Sequence, residues 1–146
     1  MGKLVRENNM CFACSSINPI GLRLKFEQDG PVCRTHFTSG PEHQGWNGVL
    51  HGGLISTMLD EAMSQWIWAR DYVAVTAEIT TRFSVAVPIG QPITIEAALE
   101  AERGLVVEMS GKVILPDGTV AARCKAKFLK VDWEKMRQGE LKLHKK

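Results

Sequence analysis

The second half of the chain is written largely in a two-residue period. Ala77, Ile79, Thr81, Phe83, Val85 and Val87 alternate with Glu78, Thr80, Arg82, Ser84 and Ala86, and Pro88-Ile89-Gly90 turns the run. Ile93, Ile95, Ala97 and Leu99 then alternate with Thr94, Glu96, Ala98 and Glu100 up to a turn at Glu102-Arg103-Gly104. Leu105, Val107, Met109, Val113 and Leu115 continue the pattern, and Pro116-Asp117-Gly118 is a hairpin signal. The last run sets Val120, Ala122, Cys124, Ala126 and Phe128 against Arg123, Lys125 and Lys127. Such alternation marks strands that bury one face and wet the other, so these four predict an antiparallel meander. Nearer the start, Leu22, Leu24 and Phe26 alternate with Arg23, Lys25 and Glu27. Asp29-Gly30-Pro31 is turn chemistry and residues 32–37 suit an antiparallel partner strand. Residues 11–21 and 39–48 read as loops, the second carrying Gly40, Pro41, Gly45 and Gly48.

Between the two strand groups the period changes. From about residue 52 to residue 70, Leu54, Ile55, Met58, Leu59, Ala62, Met63, Trp66 and Ile67 cover most of the circumference of a helix. Gly53, Thr57, Asp60 and Ser64 follow spacings of 4, 3 and 4, which places them on one narrow, small and polar seam. A helix this apolar is a core helix, and a sheet interrupted by one such helix must wrap it. The fold class is therefore α+β, an antiparallel sheet curved around one long central helix. Asp60 on that helix needs a reason, because an unpaired buried charge costs several kcal/mol or shifts its pKa.

With 146 residues the chain suits one domain, 1–146, with a core at about 11–131 and a basic, polar tail at 132–146 expected to be frayed or loosely docked. Hydrophobic residues make up 45% and charged residues 23%, an ordinary globular balance, and a net charge of +2 gives no case for a nucleic-acid partner. No apolar run approaches the roughly 20 residues of a membrane span. Residues 1–10 hold Lys3, Arg6 and Glu7 with no apolar core for export, and Arg6 stands where a myristoylation signal wants Ser or Thr. Four cysteines without a secretory signal fit a reducing cytosol, so the expected location is cytoplasmic. Cys11-x-x-Cys14 with Cys33-x-x-His36 offers four metal ligands in principle. Positions i and i+3 of a strand face opposite ways, however, so no metal is expected and Cys11 and Cys14 read as loop packing.

Several of these stretches together resemble one known family. They are Cys-Phe-Ala-Cys…Asn-Pro-Ile-Gly-Leu, the loop His43-Gln44-Gly45-Trp46-Asn47-Gly48, the helix start His51-Gly52-Gly53, Asp60 nine residues after His51, and Thr76-Ala77…Pro88-Ile89-Gly90. The chain resembles the hotdog-fold acyl-CoA thioesterases, with the phenylacetate-pathway type and its relatives as the nearest branch. The resemblance implies a sheet wrapped on its helix, a homodimer or dimer of dimers, coenzyme A thioesters as substrates and no cofactor. It also implies roles by position. Gly52 would offer its backbone N–H to the thioester carbonyl, Asp60 would be nucleophile or general base, and His51 would shape the helix start. Gln44, seven residues before His51, stands near where some relatives carry an Asn or Gln, and Val85 stands where some carry a water-positioning Ser or Thr. Gly53, Thr57 and Ser64 on the seam, with Arg82, complete the candidate substrate contacts. For Arg82, Arg123, Lys125 and Lys127 the default is solvated charge paired with Glu96, Glu100 or Glu108, and the alternative is contact with coenzyme A phosphates.

The chemistry agrees on its own terms. A helix N-terminus supplies free N–H donors and partial positive charge, and glycine there lets a carbonyl approach. An Asp with an ordinary pKa near ~3.9 is ready at neutral pH to attack or to take a proton. Gly52 and Asp60 are eight residues apart, so about 12 Å apart along a helix at ~1.5 Å per residue. A reacting carbon must lie about 3 Å from both, so the two cannot come from one chain. Two antiparallel helices across a two-fold axis would pair Gly52 of one with Asp60 of the other. Two other functions stay open at this level: a hotdog hydratase or dehydratase, and an acyl-CoA-binding protein that turns over slowly or not at all.

Overall fold

The computed structural model describes residues 9–139. Residues 1–8, which carry the expectations about export and myristoylation, and residues 140–146 of the tail lie outside the described residues. Six strands form one antiparallel sheet: β1 Glu27–Asp29, β2 Val32–Thr38, β3 Ala74–Phe83, β4 Pro92–Arg103, β5 Val106–Ile114 and β6 Val120–Lys130. The helix α1, Gly52–Trp68, falls between β2 and β3 in the chain, and a short helix α2, Trp133–Arg137, follows β6. No described helix is long and apolar enough to cross a membrane.

The sheet order is β1-β2-β4-β5-β6-β3. The core lies between one face of this sheet and α1. From the helix come Ile55, Met58, Leu59, Ala62, Met63, Trp66 and Ile67, all buried. From the sheet come Cys33, Ile93, Ile95, Ala97, Val107, Met109, Val113, Ala122, Cys124, Ala126 and Phe128. Gly111 interrupts the inward row of β5 because α1 passes close there. A Cβ at Gly111 would lie 3.0 Å from Cys124 Sγ and 3.0 Å from Leu59 Cδ2. The α+β class and the single wrapped helix expected from the sequence are both present. The polar seam is the side of α1 that its own sheet leaves open: Gly53 is exposed, and Thr57, Asp60 and Ser64 are only half-buried.

Four expectations need correction. First, β3, β4, β5 and β6 are not a four-strand meander. β4 pairs with β2 and β5, while β3 pairs with β6 at the far edge. Pro88-Ile89-Gly90 belongs to a crossing segment, in which Leu50 N–H donates to Val87 O (2.8 Å) and Gly90 N–H to Ser39 O (2.8 Å). Second, β3 runs three residues further back than Ala77 and stops at Phe83, and its pairing slips between Thr76 and Glu78. Third, residues 22–26 are not strand. Leu22 and Leu24 are buried as the alternation implies, but their N–H groups donate to Phe12 O (2.8 Å) and Ala13 O (2.9 Å), and Arg23 sits at φ 54. Left-handed backbone at a non-glycine residue breaks an extended run, so β1 is only three residues long. The expected tight turn does follow it, with Gly30 at φ 58. The start of the tail carries a short, largely exposed helix that begins after Asp132. That side chain accepts from Glu134 N–H (2.9 Å) and Lys135 N–H (3.2 Å) and so caps α2. Fourth, Leu99 leaves the predicted inward row and is exposed, at an irregularity in the β4–β5 register between Leu99 and Ala101.

Candidate active site

The start of α1 is held from three sides. Gln44 Oε1 accepts from Gly48 N–H (3.0 Å), Gly45 N–H donates to Val49 O (2.9 Å), and His51 N–H donates to His43 O (3.0 Å). His51 is the N-cap, and its Nδ1 accepts from Gly53 N–H at 2.9 Å. Nδ1 must carry no proton to do this, which fixes the ring as the Nε2–H tautomer when neutral. Leu54 N–H and Ile55 N–H both donate to His51 O. Of the donors that a helix start leaves over, the Gly52 N–H alone makes no hydrogen bond among the described residues. Gly52 lines a cleft of about 800 Å³ together with Trp46, His51, Phe83, Val85 and their neighbours. Two aromatic walls stand open there, Trp46 at 86% exposed and Phe83 at 51%.

Two turns along α1, Asp60 is half-buried and accepts a short hydrogen bond, 2.5 Å, from the Thr76 hydroxyl of β3. Burial pushes the Asp60 carboxyl above its ordinary range, the Thr76 hydrogen bond pulls it back, and the charge of Glu61 adds to the rise. The result is a carboxylate more basic than an exposed Asp, oriented by one donor. In the sequence Thr76 stands within a stretch that carries the resemblance, but nothing there gives it a role. Counted in twos from Ile79, Ala77 points inward and Thr76 outward. The slip in the β3–β6 pairing, where Thr76 lies opposite Phe128 and Glu78 opposite Lys127, reverses this and turns Thr76 toward the helix. Val85 is not beside Asp60. It lines the cleft at the helix start, 43% exposed.

The remaining candidates divide. Thr57 Oγ donates back to Gly53 O (2.9 Å), and Ser64 lies half-buried further along the seam. Gly53 is needed for the cap, since a Cβ there would sit 3.0 Å from the His51 ring, and its N–H is already engaged. Gln44 is spent on its own loop and does not line the cleft. Arg82 is exposed on the sheet face away from α1, directly opposite Arg123 across the β3–β6 ladder. The acidic partners expected for these cations are engaged elsewhere: Glu96 with Arg34 (2.6 Å) and Lys112 (3.9 Å), and Glu108 with Arg103 (3.6 Å). Cys33 is buried and accepts from Gln28, while His36 is exposed and bonds to Thr94, so neither joins the Cys11-x-x-Cys14 loop. That loop instead meets Glu61: one ligating atom from each of Cys11, Cys14 and Glu61 lies within 4.8 Å of the others.

Against families of known proteins, residues 47–122 match the model of the thioesterase superfamily. The chain belongs to the thioesterase superfamily. The matched span includes His51, Gly52, Asp60 and Thr76, while Gln44 and the paired cysteines precede it. Over 100 residues, 68% of its length, this superfamily member is 30% identical to the acyl-coenzyme A thioesterase THEM4 of Bos taurus and covers 41% of that protein. The chain thus spans about two fifths of that curated relative. Among solved structures, the PaaI protein of the E. coli phenylacetic acid degradation operon superposes with a TM-score of 0.71 at 15% identity, over 76% of this chain and 81% of that one. A hypothetical thioesterase from Streptococcus pneumoniae, solved with coenzyme A, gives a TM-score of 0.70 at 13% identity, over 74% and 88%. Two alanine variants of that protein also match: one replaces an Asp, the other a Thr sixteen residues further on. These likenesses establish the hotdog fold expected from the sequence.

Proposed function

We propose that this chain hydrolyses an acyl-CoA thioester, aliphatic or aryl, to the free acid and coenzyme A, in a site shared by two copies of the chain. The observation that carries the proposal is the pairing on one helix of a free N–H at Gly52 with a basic, Thr76-held carboxylate at Asp60. The Gly52 N–H, with the partial positive charge of the helix start behind it, stabilises the oxyanion that forms as the thioester carbonyl is attacked. Asp60 either attacks that carbon or takes the proton from an attacking water, and Thr76 orients it. His51 keeps the helix start open by engaging Gly53 and leaving Gly52 free. Its Nδ1 is thereby occupied, which weighs against a hydratase-type role for that ring.

Eight residues of helix separate the two groups by about 12 Å, so each site takes Gly52 from one protomer and Asp60 from its partner. Two features support self-association. The seam of α1 is uncovered, and β3 ends the sheet with a ten-residue outer edge that no described strand pairs. Long free edges are templates for pairing with another chain. The four free thiols suit a reducing, cytoplasmic setting. The relative that is an acyl-coenzyme A thioesterase and the coenzyme A-bound neighbour support the substrate class.

A panel of aliphatic and aryl acyl-CoAs, with free coenzyme A measured chromatographically, tests the reading. Turnover with at least one of them, falling about 10²–10⁴-fold in Asp60→Ala, is expected. Turnover untouched by Asp60→Ala overturns the mechanism. Tight acyl-CoA binding with no hydrolysis makes the protein a binding module instead.

A further inference from the structure

A cluster that the thioesterase reading does not use lies at the flank of the same helix, beside the seam. Residues 11–14 form a tight turn in which Ser15 N–H donates to Cys11 O (3.1 Å) and Cys14 N–H to Cys11 Sγ (3.4 Å). Asn9 Nδ2 donates to Cys14 Sγ (3.4 Å), and Asn9 Oδ1 accepts from Cys11 N–H (2.8 Å). Each sulfur thus receives an N–H, the arrangement that stabilises charge on sulfur. The turn is fixed in place by Leu22 N–H on Phe12 O and Leu24 N–H on Ala13 O. Beneath it stands Glu61, half-buried on α1 and held by Gln65 Nε2 at 2.9 Å. Sulfur, sulfur and carboxylate oxygen all lie within 4.8 Å of one another.

We propose that Cys11, Cys14 and Glu61 form a binding site for a divalent zinc ion. Two thiolates and a carboxylate are a borderline-soft donor set of the kind zinc takes in tetrahedral sites. Around such an ion, thiolate sulfurs at ~2.3 Å from the metal stand about 3.8 Å apart, so small side-chain rotations close the observed cluster. The Glu61 carboxylate beside the two sulfurs favours a cation. A divalent ion replaces the thiol protons and neutralises the carboxylate in one step, with the protons released to solvent. Three protein donors leave one coordination position for water or an exchangeable ligand. The ion ties the N-terminal loop to the middle of α1, one residue from Asp60. Cys33 and Cys124 stay outside the cluster and serve as internal controls.

The proposal stands apart from acyl-CoA hydrolysis, and its readouts do not involve turnover. Reduced full-length protein, stripped of metal with a chelator, is titrated with Zn²⁺ against a chromophoric competitor and with Co²⁺ by absorption. One ion per chain is expected, with a thiolate-to-cobalt charge-transfer band. Zinc should protect Cys11 and Cys14, and no other thiol, from alkylation read by mass spectrometry. Glu61→Gln, which keeps both thiols, should weaken binding at least about 10-fold. A Cys11→Ser/Cys14→Ser variant should lose the band altogether. Equal zinc affinity in wild type and either variant, or alkylation of Cys11 and Cys14 indifferent to zinc, overturns the site. Should the double variant fail to fold, Glu61→Gln and the protection pattern decide.

Discussion

Gly52→Pro removes one hydrogen-bond donor and little else. Gly52 is the first residue of α1, the position where proline is best tolerated, because its fixed φ suits the helix and the missing N–H was an orphan anyway. His51 before it is extended at φ −60, ψ 128, the conformation that a residue preceding proline prefers. A Cβ at Gly52 meets only the Phe83 ring, at 3.6 Å, an ordinary contact. Stability should therefore hold or rise by about 0.4–1 kcal/mol through the narrower unfolded ensemble. Activity should not hold: losing one oxyanion donor costs about 10²–10³ in kcat, or ~2.7–4 kcal/mol. Gly52→Ala adds a Cβ in the same place and keeps the N–H, so the ratio of the two variants isolates the donor. The assays are steady-state coenzyme A release and a thermal melt of each variant. Complementation carries the test further. Gly52→Pro and Asp60→Ala are each inactive alone. A shared site predicts that a heterodimer of the two holds one intact site, so random exchange at equal amounts restores roughly a quarter of wild-type activity. Equal kcat in Gly52→Pro and Gly52→Ala refutes the donor role. Inactive mixtures in which heterodimers are demonstrably present refute the shared site.

Thr76→Val keeps the shape and removes the hydroxyl that favours the charged form of Asp60. The Asp60 pKa rises further, so the acid limb of the kcat/KM profile should move to higher pH, read by rates across a pH series. Asp60→Asn should be inactive yet more stable at neutral pH. Because burial raises the folded-state pKa, stability is greatest below the ordinary carboxylate range and falls as pH climbs from there through the raised value. Asn never ionises, so the gap in melting temperature should open from acid to neutral pH. A constant gap would contradict it. Gly111→Ala places a Cβ 3.0 Å from both Cys124 Sγ and Leu59 Cδ2 and should cost about 1–3 kcal/mol in urea unfolding.

What could be read from the sequence follows from how far apart the interacting parts lie in the chain. The helix and its seam were legible because both are local periodicities, and the seam of Gly53, Thr57, Asp60 and Ser64 is indeed the face that the sheet leaves uncovered. The place of β3 was not legible, because Pro88-Ile89-Gly90 marks where the chain turns and carries no information about which strand it then joins. That choice is made by burial. β4 carries Ile93, Ile95 and Ala97 into the centre, and β3, half-exposed along its length, takes the edge. Thr76 was hidden for a different reason. One slipped residue inverts the parity of the strand, and a strict period of two then names the wrong side chain. Cys11 and Cys14 were read against Cys33 and His36 because those share the cysteine-and-histidine pattern. The group that space places beside them is a glutamate fifty residues from Cys11 in the sequence, on the flank of α1 next to the seam. On the functions proposed above, the groups of α1 act where the helix meets something else: substrate and a second copy along its open seam, the N-terminal loop at the flank of that seam. On those proposals the adjacent residues Asp60 and Glu61, about 100° apart on the helix, serve the seam and its flank separately.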